Sequence, residues 1–268
     1  MGLHVVVCVK RTPASTGIAI DASGQVKTEG VPHAMNPLDE YAVEEALRIK
    51  EKIADSKVTI LSMGTDEADA VIRAGIALGA TGGVLVSDAA FAGSCTYGTS
   101  YILAQAIKKI SATDGEVQLV LFGKQTNDGE SGHMTAQVGA WLEWPSATVV
   151  RKISEISEAG LTVERLAEDG ADTLKYTFPV VVGVTKEINE PRLPSLKGKM
   201  GAKKATVLKW GAADLSVDAA AVGKAGALAE VIEMSAIPSR SAGMVIAGET
   251  AEDKAKALVE KLKEQKFI

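Results

Sequence analysis

The stretch VQLVLFGKQTNDGESGHMT, residues 117–135, predicts a buried strand joined to a helix by a polar, glycine-containing loop. Its first seven residues are almost all apolar, as expected of a strand that is covered on both faces. The loop combines three glycines with small polar residues and leads into a predicted helix over His133–Leu142. Backbone N–H groups at such a turn, together with a helix N-terminus, favour a phosphate or pyrophosphate group. The alternative is an ordinary polar loop that caps the helix.

The same strand-then-helix pattern occurs three times before this stretch. Apolar runs at Leu3–Lys10, Lys57–Gly64 and residues 82–88 predict three more buried strands, and a segment with helical features follows each one. The first of these helices has the clearest start, with Asn36 as a favourable N-cap and Pro37 at the first helical position. Alternating buried strands and helices predict an α/β fold with an open, mostly parallel, Rossmann-like sheet and helices on both faces.

The pattern changes after Pro145. Residues 147–178 predict antiparallel strands joined by glycine-containing turns, and residues 179–185 predict a buried strand that joins the main sheet. A small hairpin is also expected over residues 17–30. After a tail rich in alanine and glycine, the chain ends in a strongly predicted helix over residues 250–266.

The composition narrows the class of protein. The chain has 268 residues, 46% of them hydrophobic, and a net charge of −5, which argues against a nucleic-acid-binding protein. Cys8 and Cys95 lie far apart and are expected to be reduced thiols. The first residues do not match a signal peptide, and no apolar run is long enough to span a membrane. We therefore expect a cytoplasmic protein without membrane insertion.

Motifs for common chemistries are absent from the sequence. No GxGxxG follows the first strand, and neither a P-loop GxxxxGK[ST] nor a GxSxG elbow occurs. His4, His33 and His133 show no metal-ligand spacing with cysteines or carboxylates. The sequence thus offers a candidate nucleotide cradle but no catalytic nucleophile, base or metal site.

The candidate cradle is predicted from the position of strand ends. In an open parallel sheet, ligands bind beyond the carboxyl ends of the strands. Four segments lie at such ends, namely Val7–Lys10, Asn36–Asp39, Ser62–Asp66 and Gly123–Thr135. Within the last of them, His133 could donate a hydrogen bond to a ligand, whereas the acidic residue at position 39 could simply favour the start of a helix.

A basic segment stands out in this acidic chain. KEINEPRLPSLKGKMGAKK, Lys186–Lys204, holds six Lys or Arg residues, two prolines and two glycines, and it fits neither a helical nor a strand period. Leu196 is a bare leucine near its middle.

Six segments in register carry a resemblance to a known family. They are VCVKRTP, MNPLDEYAVEEALRIKE, MGTDEADAVIRAGIALGA, LVLFGKQTNDGESGHMTAQVGAWLEWP, VERLAEDGADTLKYTFPVVVGVT and NEPRLPSLKGKMGAKK. Together they cover roughly residues 3–210 and closely resemble the beta subunit of electron transfer flavoprotein. The resemblance implies an adenine-nucleotide-binding α/β domain over residues 1–210, similar to the adenine nucleotide alpha-hydrolase fold. The C-terminal extension, residues 211–268, is interpreted as wrapping a partner, and an ordinary surface extension is the alternative.

The family implies a heterodimer. An alpha subunit carries a redox-active FAD, while the beta subunit holds a second adenine nucleotide and docks acyl-CoA dehydrogenases or similar flavoenzymes. Residues 191–200 resemble the recognition loop of the family, with Leu196 at the anchor position and Pro194, Lys197 and Met200 beside it. Arg165 matches an arginine that reaches the flavin of the alpha subunit, where a cation would favour the reduced, anionic flavin. A strand-face ion pair is the other interpretation of Arg165.

The nucleotide of the beta site separates two branches of the family. Ordinary members hold structural AMP and shuttle electrons from acyl-CoA dehydrogenases. Electron-bifurcating members hold a second FAD, which takes hydride from NADH and sends one electron to a low-potential acceptor such as ferredoxin and one through the alpha-subunit flavin. Val86–Ser100 resembles the bifurcating branch, although Cys95 replaces its usual Asp and DGESGHMT replaces its usual DGDTAQVG loop. We expect FAD, with AMP as the alternative; NADH oxidation follows only with FAD.

A third possibility is a stand-alone adenine-nucleotide-binding module. Adenylating relatives of the same layered fold carry an SGGxDS-like loop after the first strand, where this chain has KRTPAST. No residue is expected to be catalytic. The residues expected to contact the nucleotide are Val7, Cys8, Val9, Asn36, Pro37, Leu38, Asp39, Met63, Asp66, Phe91, Cys95, Thr96, Gly123, Lys124, Gln125, Asp128, Gly129, Glu130, Ser131, Gly132, His133, Met134 and Thr135.

Overall fold

Eleven strands and seven helices form the part of the chain that the computed structural model describes, which is residues 2–14, 20, 27, 30–235 and 243–268. The strands are β1 His4–Cys8, β2 Arg11–Pro13, β3 His33–Met35, β4 Lys57–Met63, β5 Gly82–Val86, β6 Leu119–Gly123, β7 Ser146–Ser157, β8 Gly160–Ala167, β9 Gly170–Thr177, β10 Val180–Val184 and β11 Val207–Trp210. The helices are α1 Pro37–Lys52, α2 Asp69–Leu78, α3 Thr96–Asp114, α4 Met134–Leu142, α5 Leu196–Lys204, α6 Ala212–Leu215 and α7 Ala251–Glu264.

The main sheet has nine strands in the order β11-β5-β4-β1-β6-β10-β7-β8-β9. Neighbouring strands run parallel from β11 to β7, and the last two pairings, β7 with β8 and β8 with β9, are antiparallel. The predicted α/β fold with a mostly parallel sheet is therefore confirmed. β10 joins the main sheet between β6 and β7, also as predicted.

Alternate residues of the central strand β1 enter two separate cores. Val5 and Val7 pack on one face of the sheet with side chains of α1 and α2. Val6 and Cys8 pack on the other face with side chains of α3 and α4. Because both faces of β1 are covered by helices, all five of its residues are buried, which explains the unbroken apolar run in the sequence.

The hairpin predicted over residues 17–30 falls almost entirely outside the described residues. A short antiparallel pair flanks that stretch, between β2 and β3, in which Arg11 pairs with Met35 and Pro13 with His33. Pro37 is the first residue of α1, as predicted, but the side chain of Asn36 makes no capping hydrogen bond to the helix.

The basic segment contains a helix that its sequence does not reveal. α5 begins at Leu196, and the Ser195 hydroxyl caps it by accepting a hydrogen bond of 3.0 Å from the Gly198 N–H. The interpretation of residues 191–200 as a loop is thus wrong for its second half. The sequence does not predict this helix, because α5 contains two glycines and no apolar periodicity. Packing against α2 stabilises it instead.

The C-terminal part ends in the predicted helix. Thr250 and Asp253 form a reciprocal capping box at the start of α7, and none of its side chains is buried. Among the residues that the structure describes, no helix is both long and apolar enough to cross a membrane.

Candidate functional site

A cavity of about 380 Å³ opens at the carboxyl ends of the central strands. The chain passes from β1 to β4 and β5 on one side and then crosses back to β6 on the other side of β1, so the strand order reverses between β1 and β6. Open α/β sheets bind ligands at such a switch in strand order. The residues that line the cavity are Cys8, Val9, Lys10, Asp39, Met63, Ser94, Cys95, Thr96, Thr99, Leu103, Phe122, Gly123, Lys124, Gln125, Thr126, Gly129, Ser131, Gly132, His133 and Met134.

Two side chains at the start of α1 hold the floor of the cavity together. One Asp39 oxygen accepts a hydrogen bond of 2.8 Å from the Lys10 N–H, and the other accepts one of 2.9 Å from the Asn36 amide. The same amide donates to the Gln125 carbonyl at 2.9 Å, while its oxygen accepts from the Asn127 N–H at 3.1 Å. Asn36 therefore ties α1 to the loop after β6 instead of capping its own helix.

The carboxyl group of Asp39 titrates near neutral pH. Burial raises its pKa to about 7, although hydrogen bonds from Asn36 and from the backbone N–H groups of Lys10 and Gly123 lower it. The neighbouring thiol of Cys8 is affected in the same direction, since burial and the charge of Asp39 raise its pKa well above the ordinary value. The cavity thus contains a buried group whose charge changes within the physiological pH range.

Gly123 permits a close approach that another residue would block. A Cβ atom on Gly123 would lie 2.5 Å from an Asp39 carboxylate oxygen and 2.6 Å from the backbone carbon of Leu38. These distances are far below van der Waals contact, so β6 and the start of α1 can meet only at a glycine.

The loop after β6 has the geometry of an anion site. Glu130 and Gly132 both adopt positive φ, at 48° and 66°, which turns the backbone sharply before α4 begins at Met134. His133 precedes α4 and makes no side-chain capping bond, so the first-turn N–H groups of the helix receive no cap from it. Lys124 also lines the cavity, and a cation beside a helix N-terminus suits a phosphate group.

The start of α3 forms the opposite wall. Ser94, Cys95, Thr96 and Thr99 line the cavity there, within the segment that resembles the bifurcating branch. Burial alone would raise the pKa of Cys95, but N–H groups of Gly98, Leu228, Tyr97 and Ala229 lower it below the ordinary value. The Leu228 N–H lies 3.3 Å from the Cys95 sulfur, so part of the C-terminal extension contacts this wall.

Several residues expected at the site stand outside the cavity lining. The side chain of Val7 packs in the core behind it, and Phe91 packs in the core on the α3 side. Asp66 is exposed and pairs with Lys209, while Asp128 pairs with Lys10 at 2.7 Å. The others are Asn36, Pro37 and Leu38 at the start of α1, Glu130 in the turn, and Thr135, which packs against Gly183.

The structure adds residues that the sequence did not single out as contacts. Lys10 follows β1 directly, and its ammonium group bonds Asp128 across the loop. Its position at a strand end was a usable signal, because the strand-end rule covers it. The strand-end rule does not cover the other added residues, because a helix face or a loop conformation decides where their side chains point. These are Ser94, Thr99, Leu103 and Thr126.

Arg165 lies apart from the cavity, on β8. Its buried Nε atom is 3.2 Å from an Asp172 oxygen, an ion pair that does not form a hydrogen bond. A buried guanidinium nitrogen without a bond is unusual for a purely structural ion pair.

The basic segment presents apolar side chains to solvent. Leu196 is 76% exposed and Met200 is 58% exposed. Leu193, which the sequence analysis did not single out, is 91% exposed. A shallow groove beside them is lined by Leu196, Lys197, Met200, Gly201 and Lys204.

Comparison with known proteins places the chain in a family. A family model described as the electron transfer flavoprotein domain matches residues 23–215. The electron transfer flavoprotein subunit beta of Megasphaera elsdenii is 37% identical over 271 residues, covering 99% of this chain and 100% of the relative. This chain belongs to the electron transfer flavoprotein beta-subunit family. It is also similar to the caffeyl-CoA reductase-Etf complex subunit CarD of Acetobacterium woodii, at 34% identity over 99% of this chain and 100% of that one. Protein FixA of Azotobacter vinelandii is 35% identical over 81% of this chain and 77% of its own length.

The family model and the full-length relative confirm the resemblance seen in the sequence. A beta subunit of this family works as one half of a heterodimer with an alpha subunit. Full-length similarity to such subunits disfavours the third possibility, a stand-alone module. Among the described residues, no group of three or more His, Cys, Asp or Glu side chains could hold a metal ion. His4 is instead buried, with its ring nitrogens 2.8 Å from the Gly115 carbonyl and 2.9 Å from the Thr59 hydroxyl.

Proposed function

We propose that this beta subunit binds FAD in the cavity and serves NADH-driven electron bifurcation together with the FAD of its alpha subunit. The observation that carries the proposal is the wall formed by Ser94–Thr99, which puts the bifurcating-like segment directly beside the cavity. A bound FAD would accept hydride from NADH and divide the electrons between two acceptors.

The residues around the cavity fit an adenine nucleotide with a phosphate or pyrophosphate. The turn before α4 and the cation of Lys124 would hold the phosphate group. Lys10 is partly neutralised by Asp128, so it would position the loop more than it would bind charge. The apolar side chains of Val9, Met63 and Leu103 give the cavity a water-excluding side, which suits the flat adenine or flavin ring.

Structural AMP is the second candidate for the same cavity. Cys95 favours AMP over FAD. It stands where bifurcating members usually have Asp, so the negative charge and the hydrogen-bond acceptor that the Asp would place beside a flavin are missing. The loop sequence at Ser131–Met134 departs from that branch as well. Backbone N–H groups would supply most of the phosphate contacts, so either nucleotide is compatible with these changes.

Nucleotide content tests the two candidates directly. The chain is co-expressed with its alpha subunit, the purified heterodimer is denatured, and the released FAD and AMP are quantified. The expected result is two FAD and no AMP per heterodimer. One FAD and one AMP would identify a single-flavin shuttle and overturn the bifurcation proposal.

We further propose that the partner at Leu196 is a flavoenzyme that acts on acyl-CoA thioesters. The relative CarD is named as a subunit of a caffeyl-CoA reductase complex, which supports this class of partner. Leu196 would fill an apolar pocket on that enzyme, with the lysines of α5 at the rim.

Leu196→Ala is expected to weaken electron exchange with the flavoenzyme while flavin content stays unchanged. Removing a central apolar anchor costs about 2 kcal/mol or more of binding, equivalent to roughly a 30-fold higher KM for the heterodimer. The check is steady-state electron transfer between an acyl-CoA dehydrogenase and the heterodimer at varied heterodimer concentration. An unchanged KM would remove the anchor role.

Arg165 is proposed to face the flavin of the alpha subunit. The side chain of Arg165 is 38% exposed, so an alpha subunit can approach the accessible part of its guanidinium, which supports this role.

A further inference from the structure

The segment before α5 is pinned to the body of the protein by one arginine. The guanidinium of Arg192 donates to both oxygens of Glu44, at 2.8 and 3.0 Å, and to both oxygens of Glu51. Its backbone N–H donates to Glu44 as well, at 3.1 Å. Glu44 is only 6% exposed, so half of this arrangement is shielded from water. Paired, forked contacts of this kind fix the orientation of an arginine more firmly than a single ion pair does.

Further hydrogen bonds hold the chain just before Arg192. The amide of Asn189 donates to the Tyr41 carbonyl at 3.0 Å and to Glu45 at 2.9 Å, so residues 189–192 are fastened along one face of α1. These contacts replace secondary structure, because residues 186–195 form neither a helix nor a strand. α1 begins at the nucleotide cavity, so one helix supports both regions.

α5 is fastened to α2 on the other side. Arg73 of α2 donates to the carbonyls of Ala202 and Ala205 at 2.7 and 3.0 Å, at the C-terminal end of α5. A Cβ atom on Gly198 would lie 2.2 Å from the Ala77 carbonyl oxygen, so the two helices touch through this glycine. Both flanks of residues 193–196 are therefore fixed, although Leu193 and Leu196 themselves project into solvent.

The charges that follow these leucines, along α5, have one sign. No Asp or Glu occurs from Pro191 to Thr206, whereas Lys197, Lys199, Lys203 and Lys204 all lie there. Arg192 adds no net positive charge, because the two carboxylates of Glu44 and Glu51 outweigh its one guanidinium. The α5 side of the surface is therefore complementary to an apolar pocket that is rimmed by carboxylates.

We infer that Leu193 is a second apolar anchor beside Leu196, and that Arg192 is the positioning residue that presents both leucines to an acidic-rimmed pocket on the partner flavoenzyme. The inference rests on the proposed docking function and adds the residues that make it rigid. An anchor that is held in place before binding loses less conformational entropy than one that is free, so pinning the segment raises affinity without adding a contact.

The test uses the complete heterodimer and an acyl-CoA dehydrogenase with its acyl-CoA substrate. Leu193→Ala is expected to raise the KM for the heterodimer roughly tenfold with kcat and flavin content unchanged. Leu208→Ala is the matched control, because Leu208 is an exposed leucine on β11 outside the basic segment. It should keep the wild-type KM.

Arg192 is tested by Arg192→Gln and Arg192→Lys, with Lys52→Gln, which removes an exposed cation at the end of α1, as the control. Both Arg192 variants should raise KM, since a lysine cannot make the forked contacts to Glu44 and Glu51. Hydrogen exchange of residues 186–195 should speed up in Arg192→Gln but not in Leu193→Ala, which separates positioning from contact.

The outcomes distinguish the inference from the function on which it rests. If Leu196→Ala raises KM but Leu193→Ala and Arg192→Gln do not, the second anchor and its support are wrong while docking stands. If wild type exchanges no electrons with the dehydrogenase, the proposed partner class is wrong and the inference falls with it. If Leu193→Ala lowers heterodimer assembly instead, the leucine belongs to the alpha-subunit interface and the inference is overturned.

Discussion

Gly123→Ala is expected to abolish nucleotide binding at the proposed site. The added Cβ would lie 2.5 Å from Asp39 Oδ1 and 2.6 Å from the Leu38 backbone carbon, so either the start of α1 or the end of β6 must shift. Displacing backbone in a packed region costs about 1–3 kcal/mol of folding free energy. The larger effect falls on binding, because the same shift moves the loop of residues 124–133 that would hold the phosphate.

The measurement is nucleotide released per heterodimer, combined with the urea midpoint of unfolding. Gly82→Ala is the control, because Gly82 of β5 does not line the cavity and its added Cβ would meet no atom within 4 Å. It should retain the full complement of nucleotide. If Gly123→Ala also retains it, the close approach of β6 and α1 does not shape the site.

Asp39→Asn is expected to change how stability depends on pH. The pKa of Asp39 is raised from 3.8 to about 7 in the folded protein, so the folded state binds more protons than the unfolded state between these values. Wild-type stability from this group is fully present below pH 3.8 and is lost as pH rises through about 7. The loss is at most about 1.4 kcal/mol per pH unit, or roughly 4 kcal/mol in total.

Asparagine does not titrate, so this slope should disappear in the variant. The quantity to compare is the free energy of unfolding of Asp39→Asn minus that of wild type. This difference should rise between pH 4 and pH 8, because the wild type loses stability over that range. Any effect of the amide itself adds a constant that does not depend on pH. Urea unfolding followed by tryptophan fluorescence at several pH values measures the difference. Asp66→Asn is the control, because Lys209 lowers the pKa of Asp66 and both folded and unfolded states are ionised above pH 5. Parallel curves for Asp39→Asn and wild type would show that Asp39 is not held near neutrality.

The sheet was predictable because its signals are local. β1, β6 and β10 are almost entirely apolar, and such runs survive only where both faces of a strand are covered. The strand-end rule also predicted where the cavity opens, and Cys8, Gly123 and Lys124 line it.

The side-chain roles at the site were harder to predict. Asn36 matches an N-cap in sequence, yet its amide contacts the Gln125 carbonyl, 89 positions away. Asp66 fits the strand-end rule, but Lys209 of the edge strand holds it at the surface. In each case a partner far away in sequence decides the outcome, and local propensity carries no information about that partner.

The amino-acid sequence by itself determined the α/β class, the place of the cavity at the carboxyl ends of the strands, and the family. These depend on the period of apolar residues and on short motifs, which are properties of neighbouring positions. Only the tertiary structure decided that Asp39 is buried and titrates near neutral pH, that Gly123 must lack a side chain, and that residues 189–204 are fastened to α1 and α2. Each of these depends on the distance between atoms of residues far apart in the chain, and packing fixes such distances only when the whole sheet is formed.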